Sequence, residues 1–183
     1  GPEQTSLIRY DGQRFRTVFD AEESGRRNQS VITAVVRARD GAIWFGLGTI
    51  NAMGDGRGLG RLNERGEVSF LTAANGLVDD RVEDLLQDRE GVLWIATLGG
   101  ISRLDGRALR SFTVADGLPN NQVRCICEDR HGHLWFGTDG GVAVYDGQVF
   151  QTVHTGRVAP TRRIVEDRDG RFWFATSDRA VRY

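Results

Sequence analysis

The chain has 183 residues, of which 27% are charged and 39% apolar, and its formal net charge is −1. This balance is typical of a globular domain with its own core, and it gives no general attraction for nucleic acid or for an anionic membrane surface. No apolar run approaches the roughly 20 residues that a helix spanning a bilayer needs. The 24 glycines against 3 prolines favour many tight turns and therefore an all-β fold.

The chain opens with Gly1-Pro2, which is typical of the remnant of a cleaved tag, so we expect one domain over residues 3–183. An apolar stretch at 7–10 predicts a strand that ends in the turn word RYDG. A more polar strand is predicted at 14–19. These two strands correspond to the third and fourth strands of a unit that recurs further along the chain.

Four tryptophans mark this recurring unit, at intervals of 50, 41 and 38 residues: Trp44, Trp94, Trp135 and Trp173. Similar words surround them, such as QDREGVLWIAT at 87–97 and EDRHGHLWFGT at 128–138. A glycine lies three residues before each tryptophan: Gly41, Gly91, Gly132 and Gly170. A glycine between two apolar runs predicts a hairpin turn that requires a positive φ.

Each unit contains four predicted strands, which become more polar from the first to the last. The first strand carries two adjacent apolar columns, as at Leu85 and Leu86, which indicates a strand covered on both faces. The tryptophan lies in the second strand, where we interpret it as a packing residue between neighbouring sheets rather than a surface for a ligand. The sequence therefore predicts a β-propeller of four-stranded antiparallel blades, with about four blade equivalents.

Three complete repeats are predicted near 31–73, 82–114 and 123–153. A last blade would be shared between 161–183 and 7–19, since the first segment supplies strands one to three and the second supplies strands three and four. Two arrangements are compatible with the sequence. The chain forms a closed small ring, or it is part of a larger ring or array that leaves edges open to self-association.

The linkers between repeats carry polar residues that are candidates for ligand binding at one rim of the propeller. The candidates are Asn75, Asp79, Asp80, Arg81, Asn120, Asn121, Gln122, Arg162 and Arg163. Arginine suits a carboxylate or phosphate because its guanidinium group donates two parallel hydrogen bonds. The alternative is that these are solvated loop residues. The glycine-rich segment 46–60 is expected to be a long loop on the same rim, either contacting a partner or forming a surface insertion.

No catalytic, metal or cofactor site is predicted. Cys125 and Cys127 are expected to be reduced residues on one face of a strand, because no further metal ligands accompany them. His131, His133 and His154 have no metal-binding spacing, and a serine nucleophile in an elbow sequence is absent.

The word EDRHGHLWFGTDGGVAVYDG at 128–147, preceded by DGLPNNQV at 116–123, resembles the two-component regulator propeller repeat. The resemblance covers nearly the whole chain and is strongest at 116–150. It implies a bacterial sensor-type propeller, usually seven-bladed and often in tandem pairs, that serves as an extracytoplasmic input domain. In that family the ligands are often carbohydrate fragments, and the location implied is periplasmic or extracellular.

Three functions are compatible with the sequence. The leading hypothesis is a non-catalytic sensing or binding module for a small polar ligand, without contact to nucleic acid or membrane. The alternative is a self-associating interaction scaffold that completes its ring by oligomerising. The third is an enzyme similar to the streptogramin lyases, which are propellers with a related repeat word; it is disfavoured because no paired histidine and carboxylate is predicted on one rim.

Overall fold

The computed structural model describes residues 6–20, 30–49, 56–106, 108–153 and 159–183. Seventeen strands are found in these residues, together with two short 3₁₀ turns, Ala73–Asn75 and Val114–Asp116. The strands are β1 (Ser6–Tyr10), β2 (Phe15–Asp20), β3 (Ser30–Arg37), β4 (Ile43–Thr49), β5 (Gly58–Leu62), β6 (Val68–Leu71), β7 (Val82–Gln87), β8 (Leu93–Thr97), β9 (Gly100–Asp105), β10 (Ala108–Phe112), β11 (Val123–Glu128), β12 (Leu134–Thr138), β13 (Gly141–Tyr145), β14 (Phe150–Val153), β15 (Thr161–Glu166), β16 (Phe172–Thr176) and β17 (Ala180–Arg182). The predicted all-β class and strand order are confirmed.

The strands form antiparallel sheets in chain order, which we name by position. The N-terminal hairpin is β1–β2, the first sheet is β3–β6, the second sheet is β7–β10 and the third sheet is β11–β14. The C-terminal sheet is β15–β17. Each sheet is a meander of neighbouring strands, as a propeller blade requires.

Apolar residues between consecutive sheets form a separate core at each junction. Trp94 of the second sheet packs with Phe136 and Tyr145 of the third, with ring centroids 5.7 and 5.5 Å apart. Trp135 of the third sheet stacks on Phe172 of the C-terminal sheet at 3.9 Å. The predicted packing role is thus confirmed for these two tryptophans.

The other two tryptophans are less covered. Trp44 is half-buried and belongs to the core between the first and second sheets. Trp173 is 43% exposed, because no described sheet packs on its face of the C-terminal sheet. Position in the row of sheets, and not the local sequence, decides how deeply each tryptophan is buried.

The described sheets do not close into a ring. The strand predicted at 14–19 is β2, and it pairs with β1 in a hairpin. Asp11 stabilises the turn of this hairpin, because its Oδ1 accepts hydrogen bonds from the backbone N–H groups of Gln13 and Arg14 at 3.0 and 2.9 Å. Phe19 packs on Phe45 of the first sheet at 5.0 Å. The last blade predicted to be shared between 7–19 and 161–183 is therefore not formed within one chain, since β1 already occupies the inner edge of β2.

Candidate functional site at the bulges of the inner strands

The first strand of the first, second, third and C-terminal sheets is the innermost one, and it contains a β-bulge near its start. The register shifts between Ile32 and Ala34 and at the three equivalent places, and the extra residues are Thr33, Glu83, Arg124 and Arg162. A bulge leaves its extra residue outside the ladder and redirects its side chain, and bulges are frequent beside functional sites. We call these four the bulge residues.

The bulge residues of neighbouring sheets lie next to one another, because β3, β7, β11 and β15 are consecutive neighbours around the axis. Thr33 Oγ1 donates a hydrogen bond to the carbonyl oxygen of Val82 across the first junction, at 2.8 Å. Arg124 Nη1 lies 3.3 Å from Glu83 Oε2 across the second. One mouth of the propeller is therefore lined by a run of side chains that differ from sheet to sheet.

Arg124 is the most constrained of these side chains. Its Nε and Nη2 atoms donate to the two oxygens of Asp139 at 2.9 and 2.7 Å, and Nη2 also donates to Gln122 Oε1 at 3.2 Å. The hydrogen bonds from Arg124 hold the pKa of Asp139 below its usual value, and those to Asp139 raise the pKa of Arg124. The guanidinium group is thus a fixed, permanently charged feature of the mouth.

Arg162 occupies the equivalent position in the C-terminal sheet but is exposed. Among the described residues it has no carboxylate within hydrogen-bonding distance, although the charge of Arg162 contributes to lowering the pKa of Asp139. Arg163 follows it and is also exposed. The C-terminal sheet therefore adds cationic side chains to the mouth whose donors remain available.

Behind the bulges lies the half-buried carboxylate of Asp84. Its oxygens accept hydrogen bonds from the backbone N–H groups of Ile126 and Leu85, both at 2.9 Å. Burial raises its pKa despite these bonds and the nearby charge of Arg163. Cys125 lies close by, and burial together with the charge of Asp84 raises the pKa of its thiol to about 12. Cys125 and Cys127 are both free cysteines.

Three of the predicted linker residues hold the linkers themselves. Asn75 Oδ1 accepts a hydrogen bond from the backbone N–H of Thr72, which caps the short 3₁₀ turn. Asp80 and Asn121 are equivalent in their linkers, and their side-chain oxygens accept from Ala73 N and Val114 N at 2.6 and 2.8 Å. Their ligand-binding role stays a prediction, with these oxygens already engaged.

The other predicted linker residues lie nearer the bulges. Asp79 accepts a hydrogen bond from the backbone N–H of Arg81 and forms an ion pair of 2.8 Å with its guanidinium group. Asn120 accepts from Gln122 N at the equivalent turn. Gln122 is brought into the Arg124 network, so it is the linker residue that the structure connects most directly to the mouth.

The glycine-rich segment 46–60 lies partly outside the described residues, since 50–55 are not described. Its second half approaches the linker rim, where Gly58 N donates to the carbonyl oxygen of Asp80 at 2.8 Å. A side chain at Gly56 would meet the backbone of Asp80 at 2.0 Å, so this approach requires glycine. The expected location of the loop on the linker rim holds for this described half.

The opposite ends of the sheets carry a repeated polar motif. Asp129 Oδ1 accepts hydrogen bonds from the backbone N–H groups of His131 and His133, and Oδ2 accepts from Trp135 Nε1 at 3.0 Å. Asp88 and Asp167 bind Trp94 and Trp173 in the same way, at 2.8 and 2.9 Å. We call this arrangement the Asp–Trp clamp.

Gly91, Gly132 and Gly170 lie inside the clamps, and Gly41 lies at the equivalent turn of the first sheet. All four have a positive φ, between 83° and 92°, as predicted. His131 and His133 are exposed here, and His133 Nδ1 also lies 3.1 Å from Asp129 Oδ2. A cleft of about 480 Å³ opens beside them, between the second and third sheets. The histidine–carboxylate pair that the sequence did not predict is thus part of a turn, with both oxygens of Asp129 held by the clamp.

Glu83, Arg124 and Asp139 are the residues of the mouth that the sequence interpretation missed. A signal for Glu83 and Arg124 was present, since the position two residues before the apolar column reads Thr33, Glu83, Arg124 and Arg162. Of these four, only Arg162 was among the predicted site residues, although Arg124 and Arg162 are both the second residue of their strands. The register shift that exposes this position cannot be read from the apolar pattern alone.

The described residues set two limits on the site. No group of histidine, cysteine, aspartate and glutamate in this part of the chain could hold a metal ion. Within the same residues, no helix has the length and apolar character needed to cross a membrane.

Solved structures with the same fold include extracellular domains of two component system proteins and enzymes. The extracellular domain of a putative hybrid two component system protein from B. thetaiotaomicron matches with a TM-score of 0.74 and 17% identity, over 99% of this chain and 27% of that one. Virginiamycin B lyase from Staphylococcus aureus matches with a TM-score of 0.63 and 13% identity, over 99% and 58%. A gluconolactonase from Xanthomonas campestris matches with a TM-score of 0.56 and 20% identity, over 97% and 64%. The chain spans less than two thirds of the length of each.

No protein of curated function matches the chain in sequence. The family model described as two component regulator propeller matches at residues 76–99, 117–140 and 158–178. Each match runs through a linker, a bulged inner strand and the Asp–Trp clamp, up to the end of the tryptophan strand. Three segments of the chain therefore match the two component regulator propeller repeat.

Proposed function

We propose that this chain is a non-catalytic binding module of a sensor protein, which recognises a small polar or anionic ligand at the bulge residues. The observation that supports this most is the contrast between two arginines at equivalent positions. Arg124 is fixed by Asp139, whereas Arg162 is exposed and has no ion pair within the described residues. A carboxylate-bearing carbohydrate fragment has the chemistry that this mouth would take.

The two kinds of side chain at the mouth suit different parts of such a ligand. Arg162 would donate two hydrogen bonds to a carboxylate, a geometry that gives both affinity and orientation. Glu83 and Gln122 offer acceptors to sugar hydroxyl groups, and Arg124 holds both in place through its bonds at 3.3 and 3.2 Å. The ligand would thus bind to a preorganised surface, which lowers the entropy lost on binding.

A periplasmic or extracellular location is part of the proposal. It is supported by the family match and by the description of the B. thetaiotaomicron protein as an extracellular domain. The signalling output would lie in other parts of a sensor protein.

The non-catalytic nature of the module is also proposed. The described histidines, His131 and His133, lie at the ends of the sheets away from the bulge residues, in the clamp of Asp129. His154 lies outside the described residues. Turnover of quinupristin or of a sugar lactone by the purified chain would contradict this part of the proposal.

Glucuronate and glucose make a matched pair of probes, because they differ by one carboxylate. We expect glucuronate to raise the melting temperature and to give a calorimetric binding signal, and glucose to bind more weakly. Arg162→Ala is expected to abolish the preference for glucuronate. Arg171→Ala is the control, since Arg171 lies in the same sheet at the opposite end and is paired with Asp169. The proposal fails if a wider panel of sugars and sugar acids gives no binding, or if Arg162→Ala binds glucuronate as the wild type does.

A further inference from the structure

The N-terminal hairpin and the C-terminal sheet contain similar three-residue words at the same structural position. Ile8-Arg9-Tyr10 forms the end of β1, and Val181-Arg182-Tyr183 includes the end of β17. Both are third strands of the repeat, since Tyr10 pairs with Phe15 in the hairpin as Tyr145 pairs with Phe150 in the third sheet. The two words are therefore interchangeable in side-chain character and in register.

The C-terminal sheet presents an uncovered apolar face. Trp173 is 43% exposed and Val165 is 49% exposed. The equivalent Trp94 is only 2% exposed, because the third sheet covers it with Phe136 and Tyr145. The face around Trp173 thus has the chemistry of an internal junction between sheets.

The N-terminal side of the molecule has a groove of matching character. It has a volume of about 900 Å³ and lies between the hairpin and the first sheet, where its walls include Ile8, Val35, Ile43 and Leu62. Ile8 is 56% exposed and Val35 is 51% exposed. Where two four-stranded sheets pack on each other, the corresponding space is filled by the two inner strands of one sheet. At the junction of the first and second sheets, for example, Trp44 in the second strand of the first sheet shares a core with Leu104 of the second sheet.

We propose that the groove binds strands β15 and β16 of a second copy of this chain. In this arrangement Ile8-Arg9-Tyr10 replaces Val181-Arg182-Tyr183 beside β16, and a four-stranded sheet β15-β16-β1-β2 is formed from two copies. Trp173 of the second copy packs on Ile43 and Leu62, the positions that correspond to the surroundings of the buried tryptophans. Ile8 takes the place of Val181, which packs against the core of the third sheet.

The pairing that must be given up is short, and Tyr10 can replace the part made by Tyr183. Strand β17 has three paired positions on β16, and two backbone hydrogen bonds between Phe172 and Tyr183, of 3.0 and 2.8 Å, extend that pairing by one residue. β1 has five residues, and its edge away from β2 is unpaired within the described residues. Free sheet edges and uncovered apolar faces favour association, and here the edge and the face of one end complement those of the other.

A second copy is the occupant that the structure favours, because the hairpin is held on the first sheet while the C-terminal sheet is held on the third. Within the residues that the structure describes, the hairpin and the C-terminal sheet do not pair with each other. The contact uses different surfaces on the two copies, so it is of the head-to-tail kind. It does not rest on ligand binding at the bulge residues.

Light scattering across roughly a hundredfold range of concentration tests the proposal. We expect the mass to rise from 20.3 kDa to twice that value or to a higher multiple. Trp173→Ala, Val165→Lys and Ile8→Lys should each remain monomeric. Val114→Lys and Val149→Lys are matched controls, since both valines are 53% exposed and lie outside the two surfaces, and these variants should associate as the wild type does.

Mixing two variants separates this contact from other modes of association. Trp173→Ala retains an intact groove, and Ile8→Lys retains an intact C-terminal face. An equimolar mixture is therefore expected to form a heterodimer although each variant alone is monomeric. A wild type that stays monomeric throughout, an Ile8→Lys or Trp173→Ala variant that still associates alone, or a mixture that gives no heterodimer would each overturn the proposal.

Discussion

The two ends of the sheets use their polar residues differently. At the hairpin ends, the same residues recur with the same partners, as in the Asp–Trp clamps of Asp88, Asp129 and Asp167. At the linker ends, the bulge residues occupy equivalent positions but are threonine, glutamate and two arginines. Residues that recur at equivalent positions stabilise the repeated fold. Residues that differ at equivalent positions are available for contact with one particular ligand or partner.

A second repeated contact strengthens this interpretation of the hairpin ends. Arg89 donates a backbone hydrogen bond to Glu128, forms an ion pair of 2.6 Å with it, and donates to the carbonyl oxygens of Asp129 and Arg130. Arg39 and Arg130 reach the next sheet in the same way. These arginines join neighbouring hairpins, so the charges at this end belong to the fold.

Removing a clamp is expected to give the largest effect on stability. Asp129→Ala should lower the free energy of unfolding by about 3 kcal/mol, because it leaves a buried tryptophan N–H and two turn N–H groups without their acceptor. Urea denaturation followed by tryptophan fluorescence measures this. Asp169→Ala is the control, since that carboxylate is exposed and, among the described residues, pairs only with Arg171. Equal losses in the two variants would show that the clamp has no special role.

Breaking the contact between hairpins should have the next largest effect. Arg89→Ala is expected to cost about 2 kcal/mol, because Glu128 loses its partner and two carbonyl oxygens lose a charged donor. Arg168→Ala tests the same position in the C-terminal sheet, where the arginine makes no hydrogen bond within the described residues, and it should change stability by less than about 0.5 kcal/mol. Similar losses in both would mean that the contact between sheets contributes little.

The hairpin ends were also the part that the sequence predicted best. The positive φ of Gly132 and the packing of Trp135 follow from the repeated word, because every copy reports on the same local geometry. The bulge at Arg124 was not predicted, since a bulge shifts the register without changing the apolar pattern. The exposure of Trp173 was missed for another reason, because it depends on which sheet lies next to it.

The first sheet offers a way to build the missing clamp. Ala38 stands where the other sheets have aspartate, and no clamp is formed with Trp44. Ala38→Asp is expected to raise the free energy of unfolding by about 1 kcal/mol, since its carboxylate would accept from the turn and from the indole N–H. Thermal unfolding measures the gain, with Ala38→Asn as the comparison that lacks the charge. A loss of stability would show that the first hairpin differs in backbone as well as in sequence.

Among the bulge residues, Arg162 is expected to contribute least to the stability of the protein. Arg162→Ala is expected to change the free energy of unfolding by less than about 0.5 kcal/mol, because the side chain is exposed and has no ion pair in the described part of the chain. Arg124→Ala should cost about 1–2 kcal/mol, since it leaves Asp139 half-buried without its two donors. Denaturation of both variants, with and without glucuronate, separates a residue that holds the mouth together from one that is available to a ligand. If Arg162→Ala were as destabilising as Arg124→Ala, the variable position would be structural, and the distinction between the two ends of the sheets would fail.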